Sequence, residues 1–208
     1  LSDSIADTGG RFSPDPSSQR ASSIGGNVST NAGGINTLKH GVTVCHILGL
    51  EYVLPDGKIC TSRAEPIYDG IGADLTSLIC GSEGTFAIVT RIWCRLVVNP
   101  KYFRTVYAVF GSTSDACKTV SDVIASGIVP TSMEMMDAGM IQAVESAFHF
   151  GFPSDVAAML LLEVDGIDQV LDEELASIVQ LARDNNAGDI QQCSDPVRRA
   201  ELWTARKK

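Results

Sequence analysis

The chain has 208 residues, of which 44% are hydrophobic, 20% charged and 6% aromatic. That is enough apolar material for one packed domain or two small ones, and it excludes bulk disorder. A formal net charge of −9 and a pI near 4.7 argue against a nucleic-acid binder, which carries a basic stripe. The clean apolar runs, such as residues 157–162, are too short for a membrane-spanning helix.

Charge and glycine are unevenly spread. Residues 1–100 carry nine acids and seven bases, residues 101–208 sixteen and nine, and 13 of the 19 glycines fall in the first hundred. The skew points to two units, 1–100 and 101–208, the first rich in turns and close backbone approaches. No secretory leader pattern is present. A first residue of leucine followed by polar, glycine-rich sequence reads as a piece whose natural start lies upstream.

In chain order, residues 1–45 show little hydrophobic periodicity and contain Gly9-Gly10, Pro14-Asp15-Pro16, Gly25-Gly26 and Gly33-Gly34. Such a stretch is either disordered or shaped around something. Residues 46–54 and 58–62 form a hairpin around Pro55-Asp56-Gly57, because proline presets the turn and glycine accepts the positive φ. Residues 72–82 form a short helix with Asp74 near its start, Leu75, Leu78 and Ile79 as its apolar face, and Gly81 as its stop. Residues 85–98 are one long strand or two, ended by Asn99-Pro100, the expected domain boundary.

The second unit gives clearer signals. A strand at 105–110 precedes a helix capped by Ser112 or Thr113, with Ala116, Val120, Val123 and Ile124 as its apolar face and Gly127 as its end. Strand 128–136, helix 137–148 and the very apolar strand 157–164 follow. Helix 168–185 carries Leu171, Leu175, Ile178 and Ala182 on one face. Strand 190–193 and a last helix from Pro196 complete the order β-α-β-α-β-α-β-α. Its connections are too irregular for a Rossmann pattern, so the expectation is an α+β fold with helices on one face of the sheet.

The six cysteines, Cys45, Cys60, Cys80, Cys94, Cys117 and Cys193, stand at least fourteen residues apart. There is no CxxC pair and no zinc-finger spacing. Buried, reduced thiols in a cytoplasmic protein are expected, with a disulfide framework as the alternative. His40, His46 and His149 make no ligand pair and read as core or surface residues.

Two stretches carry chemistry. Residues 22–34, SSIGGNVSTNAGG, have almost no bulky side chain. Such a ribbon presents backbone N–H groups and lets a flat or anionic ligand approach the main chain, with Ser, Thr and Asn adding donors. A pyrophosphate or a flavin edge suits it, and a plain glycine-rich surface loop suits it as well. It is neither GxGxxG after a strand nor a P-loop. The second stretch, GSEGTFAIVT at 81–90, is a small-residue turn opening into an apolar strand. A ligand could lie against that strand's backbone, and an ordinary turn reads the same way.

Together these stretches resemble the FAD-linked oxidase family of vanillyl-alcohol-oxidase type, in the branch of the glycolate oxidase D-subunit and the D-lactate dehydrogenases. The segments that carry the resemblance are FSPDPSSQRASSIGGNVSTNAGG (12–34), KHGVTVCHILGLEYVLPDGKI (39–59), ADLTSLICGSEGTFAIVTRIWCRL (73–96) and ELWTARKK (201–208). They occur in the family's order and cover nearly the whole chain. The resemblance implies the second part of a PCMH-type FAD-binding domain at 1–100, followed by the beginning of a cap domain with an antiparallel sheet at 101–208. It implies that Ser17, Ser22, Ser23, Gly25, Gly26 and Asn27 line the flavin and its pyrophosphate. Thr30, Asn31, Gly33 and Gly34 would continue that wall, and Glu83, Gly84 and Ile88 would lie near the adenosine half. Within Leu-Trp-x-x-Arg, Arg206 would hold a substrate carboxylate through its bidentate fork.

By the same resemblance, a first FAD-binding subdomain precedes Leu1, and a His-rich metal and catalytic motif follows Lys208. His40 stands where the family often has tyrosine. The implied activity is oxidation of a small 2-hydroxy acid, glycolate or D-lactate type, by hydride transfer to the flavin of bound FAD. The base would lie outside this chain, and an iron–sulfur partner subunit or a homo-oligomer is open. The alternative is a catalytically inactive module that folds or self-associates without cofactor. A third reading is another member of the superfamily, such as an ether-lipid synthase or a cell-wall sugar reductase.

Overall fold

The computed structural model describes residues 1, 3–62, 73–153, 155–193 and 195–207, and all their side chains except those of Asp3, Ala6, Pro196 and residues 205–207. The backbone forms two compact units, Leu1–Asn99 and Pro100–Lys208, each with its own core.

In the first unit a 3-10 turn (Asp3–Thr8) leads to β1 (Gly10–Arg11), then to two short helices, α1 (Ile24–Thr30) and α2 (Thr37–His40), and a second 3-10 turn (Thr43–His46). The hairpin follows as expected: β2 (Ile47–Val53) pairs antiparallel with β3 (Ile59–Thr61). Gly57 turns the chain at φ 83°, and its N–H donates to the Leu54 carbonyl at 2.9 Å. After α3 (Leu75–Ile79), β4 (Ile88–Cys94) pairs with the other side of β2, giving the order β3-β2-β4. The stretch read as one strand or two is two, since β5 (Val97–Val98) leaves β4 to pair with β1.

Asp74 does cap α3, accepting from Ser77 N–H at 3.1 Å. Its inward side differs from the expected one: Thr76 and Ile79 are buried, whereas Leu75 and Leu78 are exposed. A five-residue helix has too few turns to impose an apolar stripe. Here a hydroxyl pair sets the rotation, Ser62 Oγ lying 2.7 Å from Thr76 Oγ1 while accepting from Leu50 N–H. Phe12, Val28, Ile47, Leu50, Tyr52 and Ile79 form the core of this unit.

The second unit follows the predicted order. β6 (Tyr102–Phe110), α4 (Thr113–Ala125), β7 (Ser132–Asp137), α5 (Ala138–Phe148), β8 (Ala158–Gly166), α6 (Asp168–Asp184), β9 (Ala187–Cys193) and α7 (Pro196–Lys207) build an antiparallel sheet of order β7-β8-β6-β9. Ser112 caps α4, accepting from Ser114 N–H at 3.1 Å, and Asp137 caps α5, accepting from Met140 N–H at 2.8 Å. β7 starts later than the apolar run suggested, after Pro130, which has no N–H to give a ladder. In α4, Thr119 is buried where Ile124 was expected, and its hydroxyl donates to the Asp115 carbonyl at 2.9 Å.

The even-numbered residues Leu160, Leu162 and Val164 of β8 join Leu171, Leu175 and Ile178 of α6 and Ala116 and Val123 of α4 in one apolar cluster. Each buried Leu, Ile or Val side chain among them contributes roughly 1.5–3 kcal/mol. The odd-numbered residues of β8 point to the opposite face. α7 meets that face through Glu163, to which Trp203 donates. Helices therefore reach both faces, which corrects the expected one-sided arrangement: α4 and α6 pack on one face, and α7 meets the other.

Candidate functional site

The ribbon at 22–34 is not an extended loop. Its middle forms α1, a seven-residue helix containing two glycines. A helix so short and so poor in propensity does not hold itself together in water, and one local cap and two tertiary devices hold it. Ser23 Oγ accepts from Gly26 N–H at 3.0 Å at the N-terminus. Val28 is fully buried. At the C-terminus the second motif closes the helix: Gly81 N–H donates to the Val28 carbonyl and Glu83 N–H to the Ser29 carbonyl, both at 2.8 Å. Gly81, Glu83 and Gly84 all carry positive φ, at 86°, 53° and 76°, so the Gly-Ser-Glu-Gly turn is shaped to present its amides to α1.

Asn31 joins the two motifs. It ends α1 at φ 48°, its Oδ1 accepts from Val44 N–H at 2.9 Å, and the Cys80 thiol approaches the same oxygen at 3.7 Å. Its side-chain oxygen is thus turned into the unit. Burial pushes the Cys80 thiol up to about 11, so this cysteine stays protonated near neutral pH.

The glycines divide by what surrounds them. A Cβ built on Gly34 would stand 2.2 Å from the Asp15 carbonyl oxygen, and one on Gly33 3.2 Å from Thr37 Oγ1. These two serve the protein's own packing, and Gly34 N–H donates to Thr37 Oγ1 at 2.8 Å. A Cβ on Gly25 would meet nothing within 4 Å, and one on Gly26 only Ser23 Oγ at 3.3 Å. Beside them the Ser22 hydroxyl is buried and has no hydrogen-bond partner. The first turn of α1 therefore offers an open backbone surface, the two leading N–H groups of Ile24 and Gly25, and an unsatisfied hydroxyl. This donor set fits the phosphates of a flavin nucleotide.

Other expected residues lie around this centre. Ser17 sits on an exposed turn before α1, and Asn27 and Thr30 lie within the helix, with Thr30 Oγ1 donating to the Gly26 carbonyl at 3.0 Å. Ile88, 63% exposed, begins β4. Arg206 lies on α7 in the second unit, and its side chain is outside the described residues. His46 is a core residue: its ring stands edge-on to Phe12, and Nε2 lies 2.9 Å from the His40 carbonyl. All six cysteines are free, but only Cys80 is buried; Cys60, Cys94 and Cys193 are half-buried, and Cys45 and Cys117 are exposed. Among the described residues no three His, Cys, Asp or Glu side chains gather as a metal site, and no helix is long and apolar enough to cross a membrane.

The sequence did not single out an open cavity of about 240 Å³ in the second unit. Tyr107, Gln191, Gln192 and Cys193 of the sheet line it together with Asp195, Arg198 and Leu202. The adjacent polar pair Gln191 and Gln192 in β9 was the available signal.

Comparison with known proteins decides the family. The model for the C-terminal domain of FAD-linked oxidases matches residues 99–208, and the model of an FAD binding domain matches residues 1–63. The chain belongs to the FAD-linked oxidase family. FAD is the cofactor of this family, and the mixed α+β architecture with antiparallel sheets is its fold. Glycolate oxidase subunit GlcD of Escherichia coli strain K12 is 38% identical over 207 residues, covering 100% of this chain and 41% of that protein. GlcD of Bacillus subtilis strain 168 is 36% identical over 94% of this chain and 42% of its own length. A probable mitochondrial D-lactate dehydrogenase of Danio rerio is 30% identical over 99% of this chain and 41% of its own length. The chain thus spans about two fifths of these relatives. Alkyldihydroxyacetonephosphate synthase has the same fold, with a TM-score of 0.79 over 100% of this chain and 40% of that one at 20% identity. The chain is thus related, at 30–38% identity, to the glycolate oxidase and D-lactate dehydrogenase branch of that family.

Proposed function

We propose that the chain works within a longer FAD-dependent enzyme that oxidises a small 2-hydroxy acid. Bound FAD supplies the hydride acceptor for the substrate α-carbon. The observation that carries the reading is the first turn of α1, where Ser22 Oγ is buried without a partner beside the open Gly25. In this reading Ser22, Ser23, Gly25 and Gly26 hold the pyrophosphate, with Ser17 and Asn27 beside them. Thr30, Asn31, Gly33 and Gly34 back that wall, and Glu83, Gly84 and Ile88 border the adenosine. Unit 1–99 is the latter part of a PCMH-type FAD-binding domain, and unit 100–208 is the start of the cap.

Arg206 holds the substrate carboxylate, since a guanidinium offers two parallel donors to its two oxygens. The relatives named for glycolate and D-lactate support this substrate class. The Escherichia coli relative is named a subunit, which supports a partner subunit; in this reading the partner is an iron–sulfur protein or a second copy of the chain. Six free thiols suit a cytoplasmic setting.

The test is FAD titration of the full-length protein, followed by steady-state oxidation of glycolate and D-lactate. The expected outcome is a yellow protein stabilised by FAD and turned over by one of the two acids, with KM raised at least tenfold by Arg206→Ala while flavin content stays unchanged. A colourless protein that gains no thermal stability from excess FAD would replace this reading with that of a cofactor-free module. An unchanged KM in Arg206→Ala would remove the carboxylate role.

A further inference from the structure

One buried carboxylate ties α7 to the sheet. Glu163 stands in the middle of β8, 3% exposed, on the face opposite α4 and α6. Its Oε2 accepts from Thr105 Oγ1 at 2.8 Å, Arg199 Nε at 2.5 Å and Trp203 Nε1 at 2.8 Å, and its Oε1 accepts from Arg199 Nη2 at 2.6 Å. The Arg199 guanidinium also lies 4.1 Å over the centre of the Phe103 ring, so the ion pair is clamped from a second side.

Two of these donors, Arg199 and Trp203, come from α7 and are one helical turn apart. A carboxylate gripped at two heights by one helix fixes both its rotation and its position along its own axis, as burial of apolar side chains such as Leu202 does not. A buried charge is an expensive fastening, and apolar residues of similar volume often hold a fold as well. Its distinctive product is orientation. Arg206 follows Trp203 by three residues, roughly 4.5 Å along the axis. Arg199, Trp203 and Arg206 recur at i, i+4 and i+7, the repeat of one helix side.

We propose that Glu163 is a positioning residue for substrate: by holding Arg199 and Trp203 it sets the placement of α7 and therefore of Arg206. The inference rests on the reading of Arg206 as the carboxylate ligand. A bidentate clamp loses much of its effect when displaced by about 1 Å, so loosening the tether weakens substrate binding before it weakens the fold.

The experiment is a double-mutant cycle in the full-length flavoprotein. It measures KM and kcat for the acid that is turned over, and the affinity for oxalate, an unreactive dicarboxylate, from the flavin absorbance change. Glu163→Gln removes the charge at nearly constant volume. It is expected to raise KM and the oxalate Kd about tenfold, leaving kcat and FAD content within twofold. In the Arg206→Ala background the same change should add nothing. Additive effects would overturn the proposal, because Glu163 would then act on the fold at large, and a normal KM in Glu163→Gln would overturn it too.

Should Glu163→Gln not fold, two milder changes carry the test. Trp203→Phe removes one tether on α7, and Thr105→Val removes an equal bond to the same carboxylate from β6. The first should raise KM and the second should not; equal effects would refute positioning. Loss of the Arg206 reading shows itself separately, as an oxalate affinity unchanged by Arg206→Ala alone.

Discussion

Replacing Gly25 with alanine separates what the fold needs from what the cofactor needs. Gly25 lies in the first turn of α1, outside the positive-φ region, and a Cβ built on it meets nothing within 4 Å. Alanine is favoured over glycine in a helix by about 0.5–1 kcal/mol, chiefly because the unfolded chain loses freedom. Nothing in the folded unit opposes that gain. For a unit of about a hundred residues it raises the melting temperature by roughly 2–8 °C. The same methyl stands on the surface where the FAD pyrophosphate is proposed to meet the backbone, so FAD affinity should fall at least tenfold, or about 1.4 kcal/mol. Circular-dichroism melting without FAD reads the first effect, and flavin fluorescence titration of the full-length protein reads the second. A lower melting temperature would refute the helix as described. Unchanged FAD affinity would refute the placement of the phosphate there.

Gly34→Ala should behave oppositely, because its Cβ would stand 2.2 Å from the Asp15 carbonyl oxygen and 2.8 Å from Pro16 N. Backbone must move, and urea unfolding should show a loss of about 1–3 kcal/mol with or without FAD; a loss under about 0.5 kcal/mol would contradict the contact. Burial lowers the pKa of His46, so between its folded value and the unfolded value of about 6.5 the unfolded chain binds the extra proton. This contribution to stability is complete above about pH 6.5 and is lost as pH falls below it. The urea midpoint should therefore drop from pH 7 to 5.5, and His46→Gln should shrink that drop; an identical slope would exclude His46 as its source. In thiol labelling at pH 8, Cys45 and Cys117 should react in the native chain and Cys80 only after unfolding. Early modification of Cys80 would be incompatible with its burial.

The second unit was nearly transparent in sequence because its elements are long enough for local rules to decide them. α6 repeats Leu171, Leu175, Ile178 and Ala182 along one side, and all four are buried. Ser112 and Asp137 begin their helices where short polar side chains can reach an exposed N–H. The Pro55-Asp56-Gly57 turn was readable for the same reason, since each residue carries its own backbone preference.

Where elements are short, neighbours distant in sequence decided the outcome. The composition of SSIGGNVSTNAGG identifies a surface poor in side chains, and that much held for Gly25 and Gly26. It could not announce α1, whose C-terminal carbonyls are satisfied by amides more than fifty residues later, at Gly81 and Glu83. Nor could it divide the glycines, since only packing against Asp15 distinguishes Gly34 from Gly25. The inward side of α3 and the tether of α7 to Glu163 are of the same kind. Periodicity and turn chemistry act over a few residues and are written locally. Hydrogen bonds between remote segments form only once the chain has brought them together, so they belong to the tertiary structure.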